Sequence, residues 1–385
     1  MTSPEVLRKT FQDMFGESPR IFRAPGRVNL IGGHLDYNEG WVLPIAIDRS
    51  CFVAAKVRDD RRLRLHSVQM QETFECDLDA PRSAKHHWSN YVRGVAWALR
   101  EAGRPIRGAD MLIWNDVPMG AGLSSSAALE VSTGFALLRL SNLEMERVEL
   151  ARACQRAENE YVGMRCGIMD QLVACRGRCG NALLIDCRSL EIDLVPFDEA
   201  NVAVVVANTM VKHALAASSE YNRRREECDD AVSRIRAVRP DVKTLRDVSW
   251  EEIEGLGSSW PDNIRRRARH VTTEMRRVQA AGAALRKRDF AELGRLISEA
   301  HASLDKDYEV SSTELNLMVE LGKKIPGSLG GRMTGAGFGG CTVNLVRSND
   351  AAEFAAKLAK SYEEQTKIKP DVYVCRASDG VEEIA

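Results

Sequence analysis

Residues 23 to 40 read RAPGRVNLIGGHLDYNEG and set Arg27, His34 and Asp36 among closely spaced glycines. The three are too polar for a packed core, and the glycines are too frequent for an ordinary helix. The spacing suits a loop that presents charge and hydrogen-bonding groups to something outside itself. Gly33 immediately precedes His34, where a side chain would otherwise stand beside the histidine.

Two further glycine-rich blocks extend the pattern. In VPMGAGLSSSAALE, residues 117 to 130, Gly120 and Gly122 free the backbone just before three serines at the start of a helix-forming run. Unpaired N–H groups and the dipole at such a helix start favour an anion, and the hydroxyls add donors and a metal ligand. No lysine follows the glycines, so this is not a Walker A loop; a tight turn with serine caps is the plainer alternative. In GRMTGAGFGGCTVNLV, residues 331 to 346, five glycines fall within ten residues before an apolar strand. That density predicts a second loop packed beside the first around a polyphosphate. Between them, in AENEYVGMRCGIMDQLVACRG, Asp170 sits in apolar surroundings and Glu158 near a helix end. A carboxylate so placed must be hydrogen-bonded, paired or catalytic, and each acid read alone fits a structural role equally well.

These blocks need elements to hold them. The chain has 385 residues, 44% hydrophobic and 28% charged, with formal charge −1, which suits two globular domains and no field for nucleic acid or an anionic membrane. The basic runs NRRRE (222–226) and IRRRARH (264–270) read as solvated helix faces. There is no 18-residue apolar run and no signal-peptide pattern, and ten cysteines without a Cys-x2-Cys pair point to reduced thiols; a cytoplasmic protein is expected.

Residues 1 to 16 read as an amphipathic helix with Val6, Phe11 and Phe15 on one face. FVAAKVRDD, LRLHSVQ and FECDLD alternate like antiparallel strands, and ADMLIWNDV is a strand. WSNYVRGVAWALREAG, ALEVSTGFALLRL and LEMERVELARACQRAENEYVG are helices, the first and last ended by Gly103 and Gly163. NALLIDCRS and VAVVVANT are strands. From 217 to about 320 the chain turns helical, and it closes on strand, helix and a last strand, DVYVCRAS. Two α+β domains are expected, 1–200 and 201–385.

Together the blocks resemble the GHMP kinases, and among them the galactokinase branch. The matches are APGRVNLIG, PMGAGLSSSAALE, CGIMDQ followed by ALLIDCRSLE, SSEYNRRREEC, and DYEVSSTEL leading into RMTGAGFGGCT, in family order over residues 23 to 343. The resemblance implies an N-terminal domain like domain 2 of ribosomal protein S5 and a C-terminal ferredoxin-like domain. It implies ATP and Mg²⁺, with Gly120, Ala121, Gly122, Leu123, Ser124, Ser125 and Ser126 around the phosphates and Trp88 near the adenine. Ser126 and Glu158 would hold the metal. Asp170 would take the proton from a sugar's anomeric hydroxyl and Arg27 would steady it. Gly33, His34, Leu35, Asp36, Gly167 and Tyr221 would bind the sugar, and the protein would act as a monomer.

One position departs from the family pattern. Where G-E-H-T-D-Y is usual, this chain has Gly32-Gly33-His34-Leu35-Asp36-Tyr37. The resemblance assigns the missing glutamate to the sugar's C6 hydroxyl. Galactose with a weaker hold on C6 is the leading expectation. A sugar altered at C6, such as galacturonate, is the alternative, although the loop itself offers no base to receive a carboxylate. A non-catalytic sugar sensor would be expected to lose part of the phosphate loop or the base, and neither is lost.

Overall fold

In the computed structural model the described residues are 3–80, 87–212 and 214–384. The first sheet joins β1 (Arg20–Ile31), β2 (Trp41–Val57), β3 (Arg62–Ser67), β4 (Glu72–Asp77), β5 (Ala109–Asn115), β6 (Asn181–Asp186) and β7 (Ile192–Pro196). The second has the order β11-β8-β10-β9, from β8 (Val202–Lys212), β9 (Ser328–Thr334), β10 (Gly339–Arg347) and β11 (Asp371–Cys375). The helices of the first half are α1 (Pro4–Phe15), α2 (Ser89–Glu101), α3 (Ser125–Leu140), α4 (Arg147–Arg156) and α5 (Met169–Arg176). Those of the second are α6 (Ala214–Arg236), α7 (Trp250–Leu256), α8 (Asp262–Arg286), α9 (Phe290–Lys306), α10 (Thr313–Lys323) and α11 (Ala351–Thr366).

Local chemistry sets several boundaries. Ser3 caps α1 by accepting from the Val6 N–H, Pro4 opens the helix, and Gly16 ends it at φ 78°. The buried face of α1 is Leu7 and Phe11, while Val6, expected there, is 53% exposed. The helix at 147 continues as a π-turn, Ala157–Val162, that Gly163 closes at φ 97°. That turn is what swings Glu158 inward.

Four expectations change. β3 pairs antiparallel with β4 but parallel with β5, which lies between it and β2, because the chain returns through α2 before adding β5. The third glycine block is not all loop, since Gly331 to Thr334 belong to β9 and only the next residues turn into β10. DVYVCRAS is not the last strand: a twelfth, β12 (Glu382–Ile384), crosses back to pair with β1, and Arg20 and Arg23 bind Glu383 and Glu382 at 2.7 and 2.6 Å. The basic runs are not wholly solvated either. Arg224 donates to the Tyr308 and Glu309 carbonyls at 2.7 and 3.0 Å, and buried Arg267 binds Glu227 at 2.7 Å. Each run spends one arginine in the interior because a buried carboxylate and chain carbonyls await it.

Candidate active site

A cavity of about 370 Å³ opens between the two sheets, lined by both glycine turns, the first loop and the start of α5. Arg27 on β1 reaches Asp170 in the first turn of α5, Nε and Nη2 donating to the two carboxylate oxygens at 2.8 Å each. Its Nη1 donates to the Gly122 carbonyl at 2.6 Å and its backbone N–H to that of Leu123 at 3.1 Å. Ser124, at φ 62°, turns its hydroxyl to donate to Asp170 at 2.6 Å. The carboxylate thus takes three donor hydrogens and keeps one of its roughly four lone-pair sites open.

Gly122 and the third turn meet backbone to backbone. A β-carbon on Gly335, itself at φ 80°, would lie 2.6 Å from the Gly122 Cα. Gly120, Gly122, Ser124, Ser125 and Ser126 line the cavity, whereas Ala121 and Leu123 are buried and offer only backbone.

On the other wall, His34 sits at φ 61° with Nδ1 3.0 Å from the Tyr37 hydroxyl, which is 2.6 Å from that of Tyr308. Burial, with the positive charges around it, holds the imidazole well below its usual range and neutral, and Nε2 meets only the Ala336 backbone, without well-formed hydrogen-bond geometry. Burial, then the charge of Asp170, push the Asp36 carboxyl up to about 6. Gly167 is what admits Asp36, because a β-carbon there would fall 2.0 Å from its Oδ2. The Tyr221 ring lies 5.5 Å from both the His34 and Tyr37 rings.

Glu158 is buried at the cavity edge, where Gln171 Nε2 donates to it at 2.7 Å and to Glu130 at 3.0 Å, and the Cys166 thiol lies 3.4 Å away. Burial raises both carboxyls; the charge of Glu158 then adds to the rise of Glu130, and that of Asp170 to the rise of Glu158. Glu158 also shares a hydrogen bond with Ser126, so a carboxylate and a hydroxyl converge where a hard cation could take them with phosphate oxygens.

The structure therefore brings together Arg27, Gly33, His34, Asp36, Gly120, Gly122, Ser124 to Ser126, Glu158, Gly167, Asp170 and Tyr221. Leu35 and Trp88 are not brought in. Leu35 is fully buried in the core beneath the loop, and Trp88 turns its indole N–H to Glu72 at 2.8 Å, leaving Tyr91 of α2 on the cavity wall. Sequence reasoning missed Asn29, which shares the Arg27 face of β1 and could have been found by the period of two. It also missed Gln171 and Arg332, which no sequence pattern marks.

A two-sheet α+β fold with a glycine loop feeding a helix beside a buried arginine–carboxylate pair is that of a GHMP kinase, with its S5 domain 2-like and ferredoxin-like parts. Residues 90–178 match the GHMP kinases N terminal domain, 282–364 the GHMP kinases C terminal domain, and 9–57 the galactokinase galactose-binding signature. Galactokinase of Roseiflexus sp. (strain RS-1) is 48% identical over 97% of this chain and 96% of its own, and that of Chloroflexus aggregans (strain MD-66 / DSM 9485) 46% over 98% and 96%. The solved Lactococcus lactis galactokinase complexed with galactose superposes with TM-score 0.94 at 35% identity, covering 99% of each chain. The Methanococcus jannaschii mevalonate kinase shares the fold, with TM-score 0.67 at 18% identity over 94% of this chain and 99% of its own. The chain belongs to the galactokinase family and is a phosphotransferase. No helix among the described residues is long and apolar enough to cross a membrane.

Proposed function

We propose that the protein transfers the γ-phosphoryl group of ATP to the anomeric hydroxyl of D-galactose, yielding ADP and galactose 1-phosphate. The observation that carries this reading is the pairing of Asp170 with Arg27 in the wall of one cavity that the 120–126 loop also lines. As the sugar oxygen bonds to phosphorus and the bond to ADP breaks, the hydroxyl proton passes to the open acceptor site of Asp170. Arg27 fixes that carboxylate in place and sets positive charge beside the transferring group. The backbone N–H groups of the glycine loop and the dipole of α3 cradle the phosphates. His34, through Nε2, and Asp36 take sugar hydroxyls.

Ser126 and Glu158 would hold Mg²⁺, which when bound neutralises phosphate charge. Gln171 keeps Glu158 aimed at that place. The solved galactokinase in complex with galactose, alike over the whole chain, supports the choice of sugar. A coupled ADP-release assay over galactose, galactosamine, arabinose and mevalonate checks it. Galactose should be turned over, and turnover of mevalonate without any sugar would sink the reading.

A further inference from the structure

Tyr308, on the turn between α9 and α10, is wholly buried, and its hydroxyl lies 2.6 Å from that of Tyr37. The Tyr37 hydroxyl is in turn 3.0 Å from His34 Nδ1. On the far side of Tyr308 stands the Cys228 sulfur of α6, 3.2 Å from its hydroxyl. Asn38 leads back to the first loop, because its Nδ2 donates to the His34 carbonyl at 2.9 Å and to the Cys228 sulfur at 3.8 Å. Four polar groups from three separate segments thus form one row, and it ends on a ring that lines the cavity. Arg224 pins the middle of the row by donating to the Tyr308 carbonyl at 2.7 Å.

The direction of the row follows from counting its hydrogens. Burial raises both phenols well above their usual range and the Cys228 thiol to about 11, so each keeps its hydrogen at neutral pH. Suppose the row runs toward the histidine. Asn38 then donates to sulfur, the thiol to Tyr308, Tyr308 to Tyr37 and Tyr37 to Nδ1, and every hydrogen is used. Run the other way, Tyr308 and Asn38 both donate to sulfur, and the thiol hydrogen has no acceptor among the described residues. The first arrangement also sets an acidic phenol O–H against a basic imidazole nitrogen, which is the stronger pairing. A neutral imidazole whose Nδ1 accepts carries its hydrogen on Nε2. The Ala336 backbone beside the ring favours its protonated form, as a carbonyl does and an N–H does not.

We propose that Tyr308 is a positioning residue of the sugar site: acting through Tyr37, it fixes His34 as an Nε2–H donor to a sugar oxygen. This rests on the sugar 1-kinase reading above and deepens it. Tyr308 itself touches no substrate. Without its hydroxyl, Tyr37 can turn its own hydrogen either way, and the imidazole divides its hydrogen between two nitrogens. A fraction of the molecules then meets the sugar with a bare lone pair. A sugar hydroxyl can still donate to that lone pair, so binding weakens by about one hydrogen bond and is not abolished. Asp170 is held separately, by Arg27 and Ser124, so the phosphoryl transfer step does not follow.

The experiment uses Tyr308→Phe, which keeps the ring packed 4.5 Å from His270 and 4.9 Å from His34 and loses only the hydroxyl. Nitrogen NMR of the histidine rings in the ligand-free protein, with His34→Ala to assign the signal, reads where the hydrogen sits. Wild type should show it on Nε2, and Tyr308→Phe should show it shared between the two nitrogens. In steady-state kinetics Tyr308→Phe should raise the KM for galactose about 3- to 10-fold, with kcat and the KM for ATP within about twofold of wild type. On a His34→Ala background the same substitution should add less than about twofold. Cys228→Ala should move the galactose KM in the same direction, and Cys228→Ser, which puts an O–H back in the row, should not. That pair decides if Tyr308→Phe fails to fold, judged by circular dichroism. Wild-type His34 protonated on Nδ1, or a Tyr308→Phe enzyme with ring signals and galactose KM unmoved, overturns the proposal and leaves the sugar kinase standing. An equal loss in kcat and both KM values, or one that persists undiminished without His34, makes Tyr308 structural and overturns it as well. If wild type turns over no galactose, the parent reading falls, and the ring signals still decide whether Tyr308 sets His34.

Discussion

Arg27 and Asp170, 143 residues apart in sequence, are joined by two parallel 2.8 Å hydrogen bonds, with Arg27 6% and Asp170 26% exposed. The arginine is sealed in and the acid faces the cavity, so the pair has a fixed half and a working half. Asp170→Asn should lower kcat by at least roughly 10²-fold and leave nucleotide affinity within a few-fold of wild type. Arg27→Lys keeps the charge but loses the planar fork, and should reduce kcat more than it raises the KM for ATP. Steady-state kinetics with nucleotide binding by calorimetry check both, and near wild-type turnover of Asp170→Asn would make that residue structural.

The contact between the two glycine turns is a second point of failure. Gly335→Ala must push a β-carbon into the Gly122 Cα at 2.6 Å from a left-handed backbone. The cost should be about 1–3 kcal/mol of stability, with a raised KM for ATP because the phosphate loop moves. Gly16→Ala, also left-handed but with nothing within 4 Å, should lose stability without touching that KM. Thermal melts and ATP saturation curves on both variants separate strain from displacement.

Asp36 predicts a pH signature in the ligand-free protein. Its carboxyl titrates near 6 when folded and near 3.8 otherwise, so the fold binds that proton more tightly than the unfolded chain does. Its stabilising share is complete below about pH 4 and is lost as pH rises through about 6. Asp36→Asn, always neutral, should therefore melt higher than wild type at pH 7.5, and the gap should close as pH falls toward 4. A gap constant across that range would show that burial does not govern this carboxyl.

Glu227 ties the two basic runs together, 7% exposed and bound to Arg267 at 2.7 Å, with Arg224 3.5 Å away. Glu227→Ala leaves two buried guanidiniums short of an acceptor and should cost roughly 3–5 kcal/mol. Urea titrations with an unchanged m value would give that loss directly. A change under about 1 kcal/mol would show that the arginines find water instead.

Much of the site was legible because its parts are backbone devices with sequence marks. Glycines before serines announce a helix start open to an anion, and five glycines before a strand announce a close approach. Asp170 stood out as an acid in apolar company and Glu158 as one near a helix end, although neither role was readable from the residue alone. Leu35 and Trp88 stay out of the cavity lining for one reason. Proximity in sequence to a functional loop does not say which way a side chain faces, and Leu35 faces the core beneath while Trp88 turns to Glu72.

The sequence by itself determined the family, the α+β composition, the two glycine turns and the polar loop, all of which depend on residue types within short stretches. Only the tertiary structure decided which charges face each other. It sent β12 back to β1, buried one arginine from each basic run on Glu227, and stood Arg332 of β9 behind Gly33 of the first glycine loop, 299 positions earlier. Buried charges are paired across long sequence separations, and local propensity carries no information about a partner brought in by sheet order.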